Sequence, residues 1–287
     1  MRTQYFEYLA PSSIEEAVKM LKEYEEAKIL AGGQSLIPLL KTRITVFPYL
    51  VSLSSIPGLS YISLDKDKLR LGPMTVVSDI EYSGDLMKRL PVLTEAASQI
   101  ADPLVRNMGT VGGNVSHADP SNDMPPVMLA LRARFTVQGP SGTREIRASD
   151  FFVDTFQTAM NHDEILREIS VDLPRGRSAG TYVKFKKRAG DFSLGTVALN
   201  VVFESGNTVK EAGIAVASLG PKPLEITDAE EYLRGKELNS NAAEHVARIV
   251  SERVEPVADY YGDVDFKRRI ARAITLEAFR RINVKVG

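Results

Sequence analysis

The chain of 287 residues contains no cysteine. That excludes disulfides, thiolate catalysis, Cys-ligated zinc and Cys-ligated iron–sulfur clusters on this polypeptide, and it fits a reducing compartment. A strong charge of either sign is missing too: the formal net charge is −1, so there is no global basic field for nucleic acid and no acidic tail. No run reaches the roughly eighteen apolar residues of a membrane-spanning helix. The opening MRTQYFEYLAPSS lacks the apolar core of a secretory signal. A cytoplasmic location is the expectation. The three histidines, His117, His162 and His245, are scattered with no His-x-x-x-His spacing and no carboxylate cluster, so no metal site is expected.

What remains is ordinary for a globular protein, with 44% hydrophobic and 25% charged residues. Ser12 or Ser13, with Glu15 and Glu16 downstream, predicts a capped helix whose apolar face is Ile14, Ala17, Val18 and Leu21. Residues 28–31 and 49–53 read as strands around a short helix at 35–44, in which Pro38 fits only an early turn. A hairpin is predicted at 61–64 and 68–71, a capping box at Ser78 and Glu81, and a helix over 92–101 behind Pro91. ADPSNDMPPVMLALRA reads as a polar turn feeding an apolar helix. A second hairpin spans 134–137 and 143–146, and a strand closes this part at 165–173. Residues 175–180 form a polar linker. Beyond it come three strands, at 181–187, 196–203 and 212–219, and two helices, at 242–254 and 266–282.

Two segments stand out. AGGQS at 31–35 and TVGGN at 110–114 each place a Gly-Gly pair between a short apolar residue and a small polar one. Each ordered glycine costs roughly 0.5–1 kcal/mol relative to alanine, so the pairs need a use. A turn with positive φ is one use, and a Gly-Gly pair is most often no more than that. Close approach of a ligand to bare backbone is another. Consecutive N–H groups then form a nest for an anion. Two such loops facing one diphosphate would gather donors from both sides without lysines. Neither segment matches G-x-x-x-x-G-K-[ST] or G-x-G-x-x-G, which argues against triphosphate-binding and Rossmann folds.

AGGQSLIPLLKTRI, followed by RNMGTVGGNVSHADPSNDMPPVMLAL and by YVKFKKRAGDFS at 182–193, resembles the FAD-binding medium subunit of the molybdenum hydroxylase family, the family of carbon monoxide dehydrogenase, xanthine dehydrogenase and aldehyde oxidoreductase. The resemblance covers essentially the whole chain in order. It implies an α+β fold with a two-subdomain FAD-binding domain of the PCMH type (1–57 and 58–177), followed by a three-stranded antiparallel sheet with a helical bundle (178–287).

The same resemblance carries functional residues onto this sequence. Ala31, Gly32, Gly33, Gln34 and Ser35 match one pyrophosphate loop, and Thr110, Val111, Gly112, Gly113 and Asn114 match the other. Asp123 matches the acidic residue for ribityl or ribose hydroxyls; without the resemblance it is a first-turn helix acid. Ile165 and Leu166 match an apolar contact with the ring system and otherwise read as core. Lys184 matches the lysine beside the flavin N1–C2=O edge, where a cation stabilises the anionic reduced form; otherwise it lies on one charged, solvated strand face. Phe192 stands where several relatives have tyrosine. Ile100 and Ala101 match the adenine half.

The activity implied is electron transfer by a flavoprotein subunit with no catalytic residue of its own. A large partner with the molybdenum cofactor oxidises substrate, a small partner carries the [2Fe-2S] clusters, and FAD on this chain passes electrons to an external acceptor. The absence of cysteine requires the clusters to sit on another polypeptide. The substrate of the complex is expected to be an aldehyde or similar small carbonyl compound. The alternatives are a stand-alone FAD oxidase or reductase, which needs acid–base residues not evident here, and a non-enzymatic nucleotide-binding module, which leaves the Lys184 motif unexplained.

Overall fold

The computed structural model describes residues 3–282. The chain first builds a small parallel sheet in the order Glu7–Leu9, Tyr49–Ser52, Ala27–Leu30. Its covering helix, Ile14–Glu23, starts as the sequence predicts: Ser13 Oγ accepts from the Glu16 amide, and the Glu16 carboxylate reaches back to Ser12. Ala17, Val18 and Leu21 face the sheet and are buried.

A five-stranded antiparallel sheet follows, in the order Ile62–Leu64, Lys68–Leu71, Ile165–Asp172, Arg134–Gly139, Gly142–Arg147. Both predicted hairpins are present. The last strand of this sheet in sequence, Ile165–Asp172, sits in the middle and joins the two hairpins. The capping box expected at Ser78 and Glu81 does not form. The helix there is Val77–Glu81, with Ser78 inside it and no side-chain cap. A bridge from Val76 to Thr110 sets where this helix begins, and Glu81 instead accepts from Arg106 Nε at 2.7 Å.

The third unit is an antiparallel sheet of Ser178–Phe185, Gly195–Ser205 and Thr208–Ala217, extended at its edge by the two-residue strand Leu224–Glu225. Helices Thr227–Leu233, Ser240–Arg253 and Val264–Arg281 pack on it. Helices Pro91–Gln99 and Met124–Ala130 pack on this sheet, in a core shared with buried side chains of the five-stranded sheet. All seven residues of Met124–Ala130 are therefore buried. Gly213 is obligatory at this junction, because a side chain there would run into the Ala130 carbonyl.

One buried acid at the same junction predicts a pH effect. Glu230 is 6% exposed, and its carboxylate accepts from the Ile214 amide at 2.8 Å and from Arg132 at 3.0 Å. Burial outweighs both donors and lifts the group from 4.5 to about 7. A carboxyl raised in the folded state favours folding most below about pH 4.5, and that contribution is lost as pH rises to about 7. Relative to Glu230→Gln, the wild type is expected to lose about 3 kcal/mol of unfolding free energy across that window. Denaturant titrations at both ends measure this, and parallel curves for the two proteins would refute it.

Candidate functional site

The two glycine segments, far apart in sequence, lie against each other. The strand Ala27–Leu30 delivers 31–35 at the end of the parallel sheet, and Gly33 turns there with φ +73°. Gly32 packs on backbone: a Cβ would overlap the Met108 carbonyl and come within 2.9 Å of Gly109 Cα. A Cβ on Gly109 would in turn lie 3.6 Å from Gln34 Cγ, and one on Gly113 would lie 3.6 Å from Ala31 Cβ. Among the described residues, the amides of Gly32, Gly33, Gln34 and Ser35 are thus left without backbone acceptors.

The second segment is built differently, which corrects the picture of two equivalent bends. Gly112 and Gly113 do not turn with positive φ; they form the first turn of helix Val111–His117, capped by Thr110. Their amides are already engaged. Gly112 N–H donates to the Pro73 carbonyl at 2.9 Å, and Gly113 N–H to Thr110 Oγ1 at 3.1 Å. Gly112 is glycine because a Cβ would press on Pro73, 2.6 Å from its carbonyl oxygen. The donors this segment presents are side chains. Thr110 keeps its hydroxyl hydrogen. Asn114 accepts from the Met124 amide through Oδ1 at 3.3 Å and keeps its NH2 group.

That Asn114–Met124 bond sets Asp123 beside the loop. Asp123 is 4% exposed and both its oxygens have partners: Tyr182 Oη donates to Oδ1 at 2.6 Å, and Lys184 Nζ to Oδ2 at 2.9 Å. Burial lifts its carboxyl above the usual range against the pull of the Lys184 charge. Burial, reinforced by the Asp123 charge, drives the Tyr182 phenol far up, so Tyr182 remains a donor. The Lys184 side chain is 1% exposed and also donates to the Gln99 carbonyl at 3.1 Å. A solvated strand face is thereby excluded for Lys184, and Asp123 is more than a first-turn acid: it is the counter-ion of a buried cation.

Sequence reasoning passed over Tyr182, Gln99 and Lys186 as contributors. Lys186 is half-buried and donates to Gln99 Oε1 at 2.8 Å, with no ion pair among the described residues. Alternation along the strand was the available signal, because it puts 184 and 186 on one face. Ile100 and Ala101 follow Gln99; Ile100 is buried, and Ala101 turns with φ +38° next to Gly190. Phe192, on the loop after Gly190, is 66% exposed. Ile165 and Leu166 are 0% and 4% exposed and belong to two separate cores. Among the described residues no group of His, Asp and Glu is arranged to hold a metal, and none of the helices is long and apolar enough to cross a membrane.

Residues 4–175 match the family described as the FAD binding domain in molybdopterin dehydrogenase, and residues 180–282 match the CO dehydrogenase flavoprotein C-terminal domain. The chain is 38% identical to the carbon monoxide dehydrogenase medium chain of Hydrogenophaga pseudoflava, covering 93% of each. It is 34% identical to the glyceraldehyde dehydrogenase medium chain of Sulfolobus acidocaldarius, over 96% of this chain and 98% of the other. Its fold superposes on a chain of the solved carbon monoxide dehydrogenase from H. pseudoflava with a TM-score of 0.95, covering 98% of both. By sequence over both halves and by fold over nearly its full length, the chain belongs to the FAD-binding medium subunits of the molybdenum hydroxylases.

Proposed function

We propose that this chain holds FAD across the contact between residues 31–35 and 110–114 and serves as the electron outlet of a three-chain molybdenum hydroxylase. The chemistry of the donor set supports the fit. Free amides at 32–35, the Thr110 hydroxyl and the Asn114 NH2 group are neutral donors suited to a diphosphate. When bound, FAD supplies redox chemistry that accepts electrons singly and releases them singly or in pairs. The protein's own part is to bind, orient and set the field. Gly32 and Gly33 keep side chains off the amides, and Asp123 and Lys184 lock the Met124–Ala130 helix to the C-terminal sheet. Ile100 and Ala101 line the adenine half, and Phe192 is an exposed aromatic free to cover a ring face.

The observation that carries this reading is the packing of AGGQS directly against the TVGGN segment, with the first loop's amides unengaged. The molybdenum cofactor belongs on a large partner chain and the [2Fe-2S] clusters on a small one, since this chain has no cysteine to hold them. The substrate class assigned to the complex is an aldehyde or a similar small carbonyl compound, in keeping with a relative named for glyceraldehyde. The location assigned is cytoplasmic.

The test is spectroscopic. The chain purified with its partners is expected to show flavin absorbance that an aldehyde bleaches, and the chain alone to show flavin that the aldehyde leaves untouched. Bleaching by the chain alone would move the assignment to a stand-alone oxidase. A folded chain that takes up no flavin removes the reading altogether. FAD at about a thousandfold its dissociation constant is also expected to add roughly 4 kcal/mol to stability. Calorimetry of the apoprotein with and without FAD reads this directly, and an unchanged transition counts against binding.

A further inference from the structure

Residues 254–263 connect helix Ser240–Arg253 to helix Val264–Arg281. The connection is held in a fixed shape. Asp259 and Gly262 exchange both backbone hydrogen bonds, at 3.1 and 3.2 Å, and close a tight turn. Asp259 Oδ1 accepts from the Tyr261 amide at 2.9 Å. Lys267, 7% exposed, donates to the Val257 carbonyl at 2.7 Å and to Asp259 Oδ2 at 2.6 Å. Burying an ammonium costs free energy, and here the buried group braces a surface turn.

What the brace presents is apolar. Val257 is 76% exposed, Tyr260 89% and Tyr261 50%, and the two tyrosine rings meet edge to face at 5.5 Å. Single exposed apolar residues are ordinary, but a contiguous and rigidly held group marks a contact surface. The group is wider than the turn. Lys187 Nζ lies 5.7 Å from the centre of the Tyr260 ring, within cation–π reach. That contact ties in the end of the strand Ser178–Phe185, where Phe185 is 42% exposed. Side chains alternate along a strand, so Phe185 points away from the face on which Lys184 binds Asp123.

Charge selects the occupant. On the loop 186–192, Lys186, Lys187 and Arg188 outnumber a single acid, Asp191, and Lys187 and Arg188 are exposed. The acids flanking the tyrosines are engaged within the chain: Asp259 by Lys267, and Asp263 as a helix cap accepting from the Phe266 amide at 2.6 Å. The free charge at the patch is positive, so the matching partner face carries carboxylates. A second copy of this chain fits poorly, because a two-fold contact sets the patch against itself and brings like charges together. Position narrows the choice further. Lys184, the residue before Phe185, is bonded to Asp123 beside the proposed cofactor loops. A chain that delivers electrons to that site must dock within reach of it, whereas the chain that oxidises substrate need not.

We propose that Phe185, Val257, Tyr260 and Tyr261, rimmed by Lys187 and Arg188, dock the small iron–sulfur chain through a face of that chain carrying carboxylates around an apolar recess. The choice of that chain rests on the proposed function; the docking surface itself does not. Tyrosine and arginine are residue types that concentrate binding energy at such contacts, and the brace removes part of the ordering cost.

The full chain is titrated with the small chain and, separately, assembled with both partners. Tyr260→Ser combined with Tyr261→Ser is expected to weaken small-chain binding at least about tenfold, with flavin content and melting temperature near wild type. Lys187→Glu is expected to weaken it at low salt and to flatten its salt dependence, and it carries the test should the serine variant not fold. Because the chain has no cysteine, Val257→Cys offers a single thiol for a photoreactive label attached before assembly. In the three-chain complex its crosslink is expected on the small chain. A crosslink to the large chain or to a second copy overturns the inference, as does wild-type affinity for the small chain in both variants. A wild-type chain that binds the small chain but no flavin is a different result: it removes the functional reading and leaves the docking surface in place.

Discussion

Replacing Lys184 by methionine is expected to destabilise the fold by about 3–5 kcal/mol, although methionine fills nearly the same volume. The reason lies in what is left behind. Asp123 is 4% exposed, and without the ammonium its carboxylate keeps only the Tyr182 hydroxyl, at 2.6 Å, as a donor among the described residues. The group will take up a proton rather than remain a buried anion, since burial already lifts its carboxyl above the ordinary range. That gives the variant a pH signature of known sign. A carboxyl raised in the folded state contributes stability at low pH and loses it as pH rises through the folded value, so the deficit of Lys184→Met should be smaller at pH 5 than at pH 8. Asp123→Asn on its own leaves the reverse defect, a buried ammonium without its counter-charge. The double variant removes both charges and is expected to recover part of the loss. Chemical denaturation of the four proteins at the two pH values decides the matter. Equal losses at both, or no recovery in the double variant, would mean that the pair is not the buried junction described.

Much of the fold was legible because its signals are local. Ser13 with Glu16, the hairpins at 61–71 and 134–146, Pro91 at a helix start and the strand-like runs beyond 180 all depend on neighbours in sequence. What was not legible depends on distant partners. Glu7–Leu9 is a strand only because it pairs with Tyr49–Ser52, and Leu224–Glu225 only because it pairs with Thr208–Ala217. Short helices such as Pro103–Arg106 and Thr227–Leu233 carry too few residues for a periodicity. Ser78 and Glu81 have the spacing of a capping box, but a bridge from Val76 to Thr110 goes with a helix that starts two residues earlier than that box requires.

The site divides along the same line. The motifs located both loops, and they named Asp123 and Lys184 without showing that the two bind each other. That bond spans strands and helices from separate parts of the chain, and no spacing encodes it. The second glycine pair was misread because helix-opening glycines and turn glycines look alike in sequence. Only the proximity of Pro73 shows that Gly112 is there for packing. Ile165 and Leu166 were carried over by motif, and both are buried.

The largest effect on cofactor binding is expected from Gly32→Ala, the smallest substitution available. Gly32 and Gly33 are adjacent, but they are glycine for different reasons. Gly33 needs φ +73°, which alanine tolerates at a cost of about 1 kcal/mol, and its Cβ would meet only side chains, Ile37 at 3.1 Å and Leu30 at 3.5 Å. Gly32 has no such latitude. Its Cβ would overlap the Met108 carbonyl and press on Gly109, and both are backbone. Backbone here cannot yield alone, because the Gly109 carbonyl accepts from the Val77 amide at 2.9 Å and the Gly109 amide donates to Val105 at 2.6 Å. One methyl group must therefore drive 31–35 away from 108–114 and open the contact that the proposed diphosphate spans. Gly32→Ala should lose FAD, by flavin absorbance after gel filtration, at concentrations where Gly33→Ala retains most of it. A destabilisation of about 1–3 kcal/mol from overpacking should accompany the loss. Because the strain is confined to this contact, circular dichroism should still report the wild-type content of helix and strand. If Gly32→Ala holds FAD as tightly as the wild type, the two loops are not the clasp, and the cofactor lies elsewhere on the chain.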